Sequence, residues 1–95
     1  MFPALVKRGE LSVGISTGGA SPSAAVYVKE RIGELLPEDF GEILEELAVL
    51  RPLVMERAAE ERGNIFKELF ARRLTSSAPL TEETLQTMLV GEEDL

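Results

Sequence analysis

The sequence predicts an α+β fold, mostly α, with an N-terminal β-hairpin followed by about four helices. Three observations predict it. Leu11, Val13 and Ile15 alternate with Ser12, Gly14 and Ser16, the period-two pattern of a half-buried strand. From Ser21 onward the apolar residues recur at helical spacing, in segments separated by proline and glycine. Between these two regimes lies a loop of small residues, Ser16-Thr17-Gly18-Gly19.

The strand at residues 11–16 has a partner upstream. Ala4-Leu5-Val6 is a short apolar run, and Lys7-Arg8-Gly9-Glu10 reads as the polar turn joining the two. A two-stranded hairpin is marginal in water and leaves both edges open, so it is expected to join a larger sheet, across a dimer or with further sequence. Ser21 then stands where an N-cap is wanted, with Pro22 at the first helical position. The first helix carries Ala25, Val28, Ile32, Leu35 and Leu36 and stops at Pro37. Tyr27, the lone tyrosine, falls in this helix and is read as an interface or core aromatic rather than a proton donor.

Glu38-Asp39 place negative charge at the start of a second helix, whose stripe is Phe40, Ile43, Leu44, Leu47, Leu50 and Val54. Pro52 lies inside that pattern and predicts a kink or break near Leu50-Arg51, with the segment resuming to about Arg62 and capped by Gly63-Asn64. Ile65, Phe66, Leu69, Phe70 and Leu74 make a third helix, with Arg72-Arg73 at the end that favours cations. Thr81 and Glu82-Glu83 open a short last helix through Leu85, Met88 and Leu89, ended by Gly91 and followed by a frayed acidic tail, Glu92-Glu93-Asp94-Leu95.

Composition narrows the function. A chain of 95 residues is one small domain or a piece of a larger protein. It has no cysteine, hence no disulfide or zinc–thiolate staple, and no histidine, the usual general base near neutral pH. A partner copy or further sequence is the expected source of added stability. The net charge of −7 argues against nucleic acid and anionic membrane as partners. No apolar run reaches the roughly 20 residues needed to span a bilayer, and the first residues lack the order of a signal peptide, so the expected location is cytoplasmic.

Most of the 17 carboxylates fall on outer helix faces, where neighbours such as Glu45-Glu46 point different ways. The best candidate site is Ser16, Thr17, Gly18, Gly19 and Ser21. A strand feeding a glycine loop at a helix N-terminus presents N–H groups and the positive end of a dipole to an anion. A plain strand-to-helix turn with nothing bound has the same sequence. No residue beside Ser16 or Thr17 is placed to activate it as a nucleophile, so binding is the sharper reading. Lys7, Arg8 and Arg51 are candidate partners for ligand carboxylates. Solubilising turn charges at Lys7 and Arg8, and a surface ion pair at Arg51, are the competing readings.

At this loop the sequence resembles a known family. Phe2-Pro3-Ala4, Arg8-Gly9 and Ile15-Ser16-Thr17-Gly18-Gly19-Ala20-Ser21-Pro22 are similar to the second half of precorrin-2 dehydrogenase, which in siroheme synthase is fused to further activities. The likeness continues through Arg31-Ile32, Leu35-Leu36-Pro37, Phe40-Gly41 and Leu50-Arg51, while Pro52 departs from the family's ordinary helix former. The resemblance implies NAD-dependent dehydrogenation of precorrin-2 to sirohydrochlorin, in some members with insertion of ferrous iron. It implies an intertwined homodimer, with residues 1–36 as hairpin plus dimerisation helix and 37–95 as a small helical region. It implies that Ser16, Thr17, Gly18, Gly19 and Ser21 line the tetrapyrrole site. The family's NAD-binding Rossmann domain and catalytic aspartate have no counterpart here, so by this reading the chain is a C-terminal piece that neither binds NAD nor turns over alone. The alternative is a stand-alone helical interaction module without catalysis.

Overall fold

The computed structural model describes residues 4–93, so the Phe2-Pro3 and Asp94-Leu95 expectations lie outside the described residues. The element order is β1 (Ala4–Arg8), β2 (Leu11–Ile15), α1 (Pro22–Leu35), α2 (Phe40–Met55), α3 (Ala59–Leu74) and α4 (Glu82–Glu93). The chain divides into two compact units, Met1–Leu44 and Glu45–Leu95.

In the first unit β1 and β2 form an antiparallel hairpin, with Ala4 opposite Ile15, Val6 opposite Val13 and Arg8 opposite Leu11. The expectation that Lys7 and Arg8 form the turn is corrected: both belong to β1. The connection is only Gly9-Glu10, and Gly9, at φ 60°, is its one left-handed residue. Such a two-residue turn matches strand twist and lets pairing continue up to Arg8. A Cβ on Gly9 would lie 2.8 Å from the Gly41 Cα, so the turn rests backbone to backbone on the first turn of α2. The alternation holds: Ala4, Val6 and Ile15 are buried with Ala25 of α1, and Val13, Ile32 and Leu36 pack around them.

Ser21 caps α1 in extended conformation, its side chain accepting from the Ala24 N–H, with Pro22 in the first turn. The helix ends where expected, the Leu36 N–H returning to the Ile32 carbonyl at 3.2 Å ahead of Pro37. Its expected apolar face is only partly used. Ala25 is the one buried residue of α1, whereas Val26, Tyr27 and Val28 are exposed and Leu35 is 80% exposed. Tyr27 is therefore not a core residue; the Arg31 guanidinium lies 5.1 Å from its ring centroid.

The second unit packs Leu50, Val54, Ile65, Leu69, Leu85 and Met88 into one core, with Leu47, Leu53 and Phe66 against it. The expected break at Leu50-Arg51 is absent: α2 runs through Pro52 to Met55. An interior proline costs about 3 kcal/mol, yet fully burying a Leu or Val returns about 1.5–3 kcal/mol each, and Leu50 and Val54 flank it at 1% and 0% exposure. The helix ends instead at Glu56 and Arg57, whose N–H groups close on the Leu53 and Val54 carbonyls at 3.3 and 3.0 Å.

Gly63 and Asn64 do not cap a helix; they lie inside α3. Gly63 does not adopt the positive φ of a C-terminal cap. Its intrinsic cost of about 1 kcal/mol is outweighed by burying Ile65 and Leu69 just beyond it. Gly91 likewise fails to end α4, which continues to Glu93. The start of α4 is as expected: the Thr84 N–H donates to Thr81 Oγ1 at 3.3 Å and the Thr81 N–H to Thr84 Oγ1 at 3.2 Å, a reciprocal cap with threonine in the usual glutamate place. Among the described residues no helix is long and apolar enough to cross a membrane.

Candidate functional site

The Ser16–Ser21 loop leaves β2 after the buried Ile15 and enters α1 at its cap. Gly18 and Gly19 have φ of 66° and 81°, and a Cβ on either would meet nothing within 4 Å. Glycine is required there by backbone conformation, not by crowding from the chain. The side facing away from the chain is open.

The expectation that the loop holds its amides free is corrected. The Gly18 N–H donates to Ser16 Oγ and the Ser21 N–H to Thr17 Oγ1, both at 3.2 Å. The Thr17 hydroxyl donates in turn to the Ser21 carbonyl at 3.2 Å, and the Ala20 N–H reaches the Thr17 carbonyl at 3.2 Å. The Ala24 N–H goes to Ser21 Oγ at 3.1 Å. Short hydroxyl side chains compete for nearby backbone donors, and here they win most of them. The Gly19 and Ser23 amides have no partner among the described residues. The Ser16 and Ser21 hydroxyls each accept a bond and keep a proton to donate. The result is a self-braced loop in which the Ser16 and Ser21 hydroxyls keep a proton to donate and the Gly19 and Ser23 amides are unpartnered among the described residues.

The cations differ in role. Lys7 is exposed on the solvent face of β1. Arg8 Nη2 donates to the Gly33 carbonyl at 3.1 Å and Nη1 to the Lys7 carbonyl at 2.9 Å, while its Nε is buried without a partner. Arg51 belongs to the second unit and lies 5.3 Å from the Phe66 ring centroid. The ion pair considered for it is not formed among the described residues; the aromatic face takes its place.

Sequence reasoning missed a network in the second unit. Glu46, assigned to solvent, is only 17% exposed, and Arg73 is 5% exposed. Arg73 Nε and Nη2 reach the two Glu46 carboxylate oxygens at 2.9 and 3.5 Å, and Nη1 donates to the Ser76 carbonyl at 3.0 Å. The Leu80 N–H donates to the same carboxylate at 2.8 Å. Glu46 therefore ties α2, α3 and the connection to α4 together. No short-range spacing could have signalled it. By contrast Arg31–Glu34, Arg57–Glu61 and Arg72–Glu68 are helix-surface pairs at ordinary spacing. Among the described residues no group of three or more acidic side chains is arranged to hold a metal ion.

Comparison with known proteins follows this geometry. The family described as "Sirohaem biosynthesis protein central" matches residues 8–35, from the end of β1 through the loop to the last residue of α1. The precorrin-2 dehydrogenase of Methanosarcina barkeri is 32% identical over 76 residues, covering 80% of this chain and 33% of that protein. The siroheme synthase of Methylococcus capsulatus is 35% identical, covering 90% of this chain and 17% of that protein. Siroheme synthase 1 of Pectobacterium atrosepticum is 33% identical, covering 99% and 21%. The chain thus spans a third or less of the length of these relatives. Among solved structures, SirC, precorrin-2 dehydrogenase, matches with a TM-score of 0.68 and 24% identity, over 100% of this chain and 47% of that one.

A hairpin, a glycine loop and a capped helix ahead of a small helical unit thus define a segment with the SirC fold. The same stretch carries the sirohaem-biosynthesis match. The chain resembles a segment of the precorrin-2 dehydrogenase and siroheme synthase proteins.

Proposed function

We propose that this chain is the tetrapyrrole-binding and dimer-forming part of an NAD-dependent precorrin-2 dehydrogenase, acting in siroheme biosynthesis. The observation that supports it most is the open loop at Gly18-Gly19, held rigid by its own hydroxyls at the head of α1. The tetrapyrrole is a macrocycle ringed with carboxylates. The Ser16 and Ser21 hydroxyls and the Gly19 and Ser23 amides are the donors that would receive one or more of them. The positive end of α1 adds a favourable field. A braced loop loses little freedom on binding, which raises affinity at fixed contacts. Lys7 adds positive charge on the hairpin.

The residues here do not fit NAD. The sheet is a two-stranded antiparallel hairpin, and a dinucleotide site needs a parallel βαβ unit with its glycine fingerprint. Under this proposal hydride acceptance falls to residues outside this chain, and no catalytic group is assigned within it. Ferrous iron would enter as a substrate where a chelatase step accompanies dehydrogenation. The dimer role rests on the hairpin's open edges and on the exposed Val26, Tyr27 and Leu35 of α1. The expected cellular location is the cytoplasm.

The competing reading, an interaction module whose loop is only a turn, draws support from the amides that the loop satisfies internally. Titration with uroporphyrin, a stable polycarboxylate tetrapyrrole, separates the two by absorbance. Binding that is lost in Gly19→Leu supports the site; leucine at φ 81° is strained by about 1–2 kcal/mol and also covers the open face. Unchanged binding in Gly19→Leu, or none in the wild-type chain, favours the module. Light scattering tests the dimer on the same sample.

A further inference from the structure

We infer that Arg8 is a positioning residue for the Ser16–Ser21 loop, acting through α1 rather than on a ligand; the inference rests on reading that loop as the binding site. Arg8 has no carboxylate partner among the described residues. Its guanidinium crosses from the end of β1 to the last turn of α1 and donates to the Gly33 carbonyl at 3.1 Å. That carbonyl is near the helix end, where acceptors lack partners within the helix and the dipole is negative. The second bond, to the Lys7 carbonyl at 2.9 Å, fixes the guanidinium to its own strand. Arg8 is thus a C-terminal cap for α1 supplied by the hairpin.

Such a cap matters more here than in an ordinary helix pair, because few apolar contacts hold α1. Ala25 is its one buried residue, and Ile32 is half-buried. Among the described residues the loop's own side-chain bonds join it to residues within it and to the first turn of α1. Where its donors point is therefore set by its two ends, β2 and the head of α1. The hairpin turn is seated separately, by Gly9 on Gly41. With the hairpin fixed there, the contact at Gly33 sets the inclination of α1 along the strands. A change at Arg8 is carried down the helix to Ser21.

The test compares Arg8→Lys with Val6→Ala, a core truncation of the same hairpin, at matched loss of thermal stability. Lysine keeps the charge but not the planar fork that spans two carbonyls. Backbone amide NMR should show Gly18, Ala20, Ser21 and Leu36 displaced in Arg8→Lys and little moved in Val6→Ala, with uroporphyrin affinity reduced several-fold in the former alone. Wild-type loop resonances in Arg8→Lys, or equal displacement in Val6→Ala, overturn the inference. If Arg8→Lys does not fold, solvent exchange of the Arg8 guanidinium protons in the wild type decides: slow exchange supports the clamp, fast exchange overturns it. A wild-type chain that ignores uroporphyrin refutes the tetrapyrrole reading, while the amide shifts still report whether Arg8 sets the loop.

Discussion

The two units of this chain are held together by different means. In the second, bulky side chains from three helices converge on Leu50, Val54, Leu69, Leu85 and Met88, each at 2% exposure or less. In the first, the buried apolar residues are Ala4, Val6, Ile15, Ala25 and Ile43, two of them alanines, and polar fastenings add to the order. The first unit also leaves Leu5, Val26, Tyr27, Val28 and Leu35 facing solvent. A packed core makes a unit stable through its own residues. A thin core beside exposed apolar surface suits a unit completed by something else, and the family match of residues 8–35 falls within this unit.

The strongest way to break the contrast is at the buried Glu46–Arg73 ion pair. Arg73→Ala leaves Glu46 largely buried with a single remaining donor, the Leu80 N–H. Removing one partner of such a pair typically costs about 3–5 kcal/mol. Urea denaturation should show a loss of that order, large against the stability of a chain this size. Replacing both partners, Arg73→Met with Glu46→Leu, should recover most of it, because two apolar side chains need no counter-charge. A double variant as unstable as Arg73→Ala would mean that the bonds to Ser76 and Leu80, rather than the pair, hold the connection to α4.

The next effect lies in the first unit. Ser21→Ala removes the acceptor for the Ala24 N–H at the head of α1, worth about 1 kcal/mol, whereas Ser21→Gly should cost only a few tenths. Thermal melting of both variants checks the order. Equal melting temperatures in wild type and Ser21→Ala would show that Pro22 and the Thr17 bonds suffice to start the helix.

Much of this architecture could be read from residue order, and the exceptions share a cause. The alternation at Leu11, Val13 and Ile15, the Ser21-Pro22 start and the Pro37 stop are local signals, and the structure keeps them. Pro52 and Gly63 are also local signals, but each sits where neighbouring side chains are buried and packing overrides propensity. The Glu46–Arg73 pair spans 27 residues, so no window could reveal it. At the candidate site the glycines were legible, while the fate of the amides was not. A hydroxyl at Thr17 can face a guest or its own backbone, and only coordinates show which. The spacing was nonetheless a clue: Ser16 to Gly18 and Thr17 to Ser21 are separations at which short hydroxyls bond the main chain.

The smallest predicted effect sharpens the comparison from the side of the second unit. Arg51 is exposed and stacks at 5.3 Å on Phe66, itself packed against the core. A cation over a ring at an exposed site contributes about 0.5–1 kcal/mol, so Arg51→Ala should lower stability by that amount in urea. Arg51→Lys should keep part of it, since an ammonium also attracts the ring face but cannot stack flat. Uroporphyrin titration of the same two variants then separates two roles. If Arg51 only shields Phe66, affinity is the same in both. If it pairs with a ligand carboxylate, affinity falls in the alanine variant by more than the stability change accounts for, is partly restored by lysine, and the difference shrinks as salt is added.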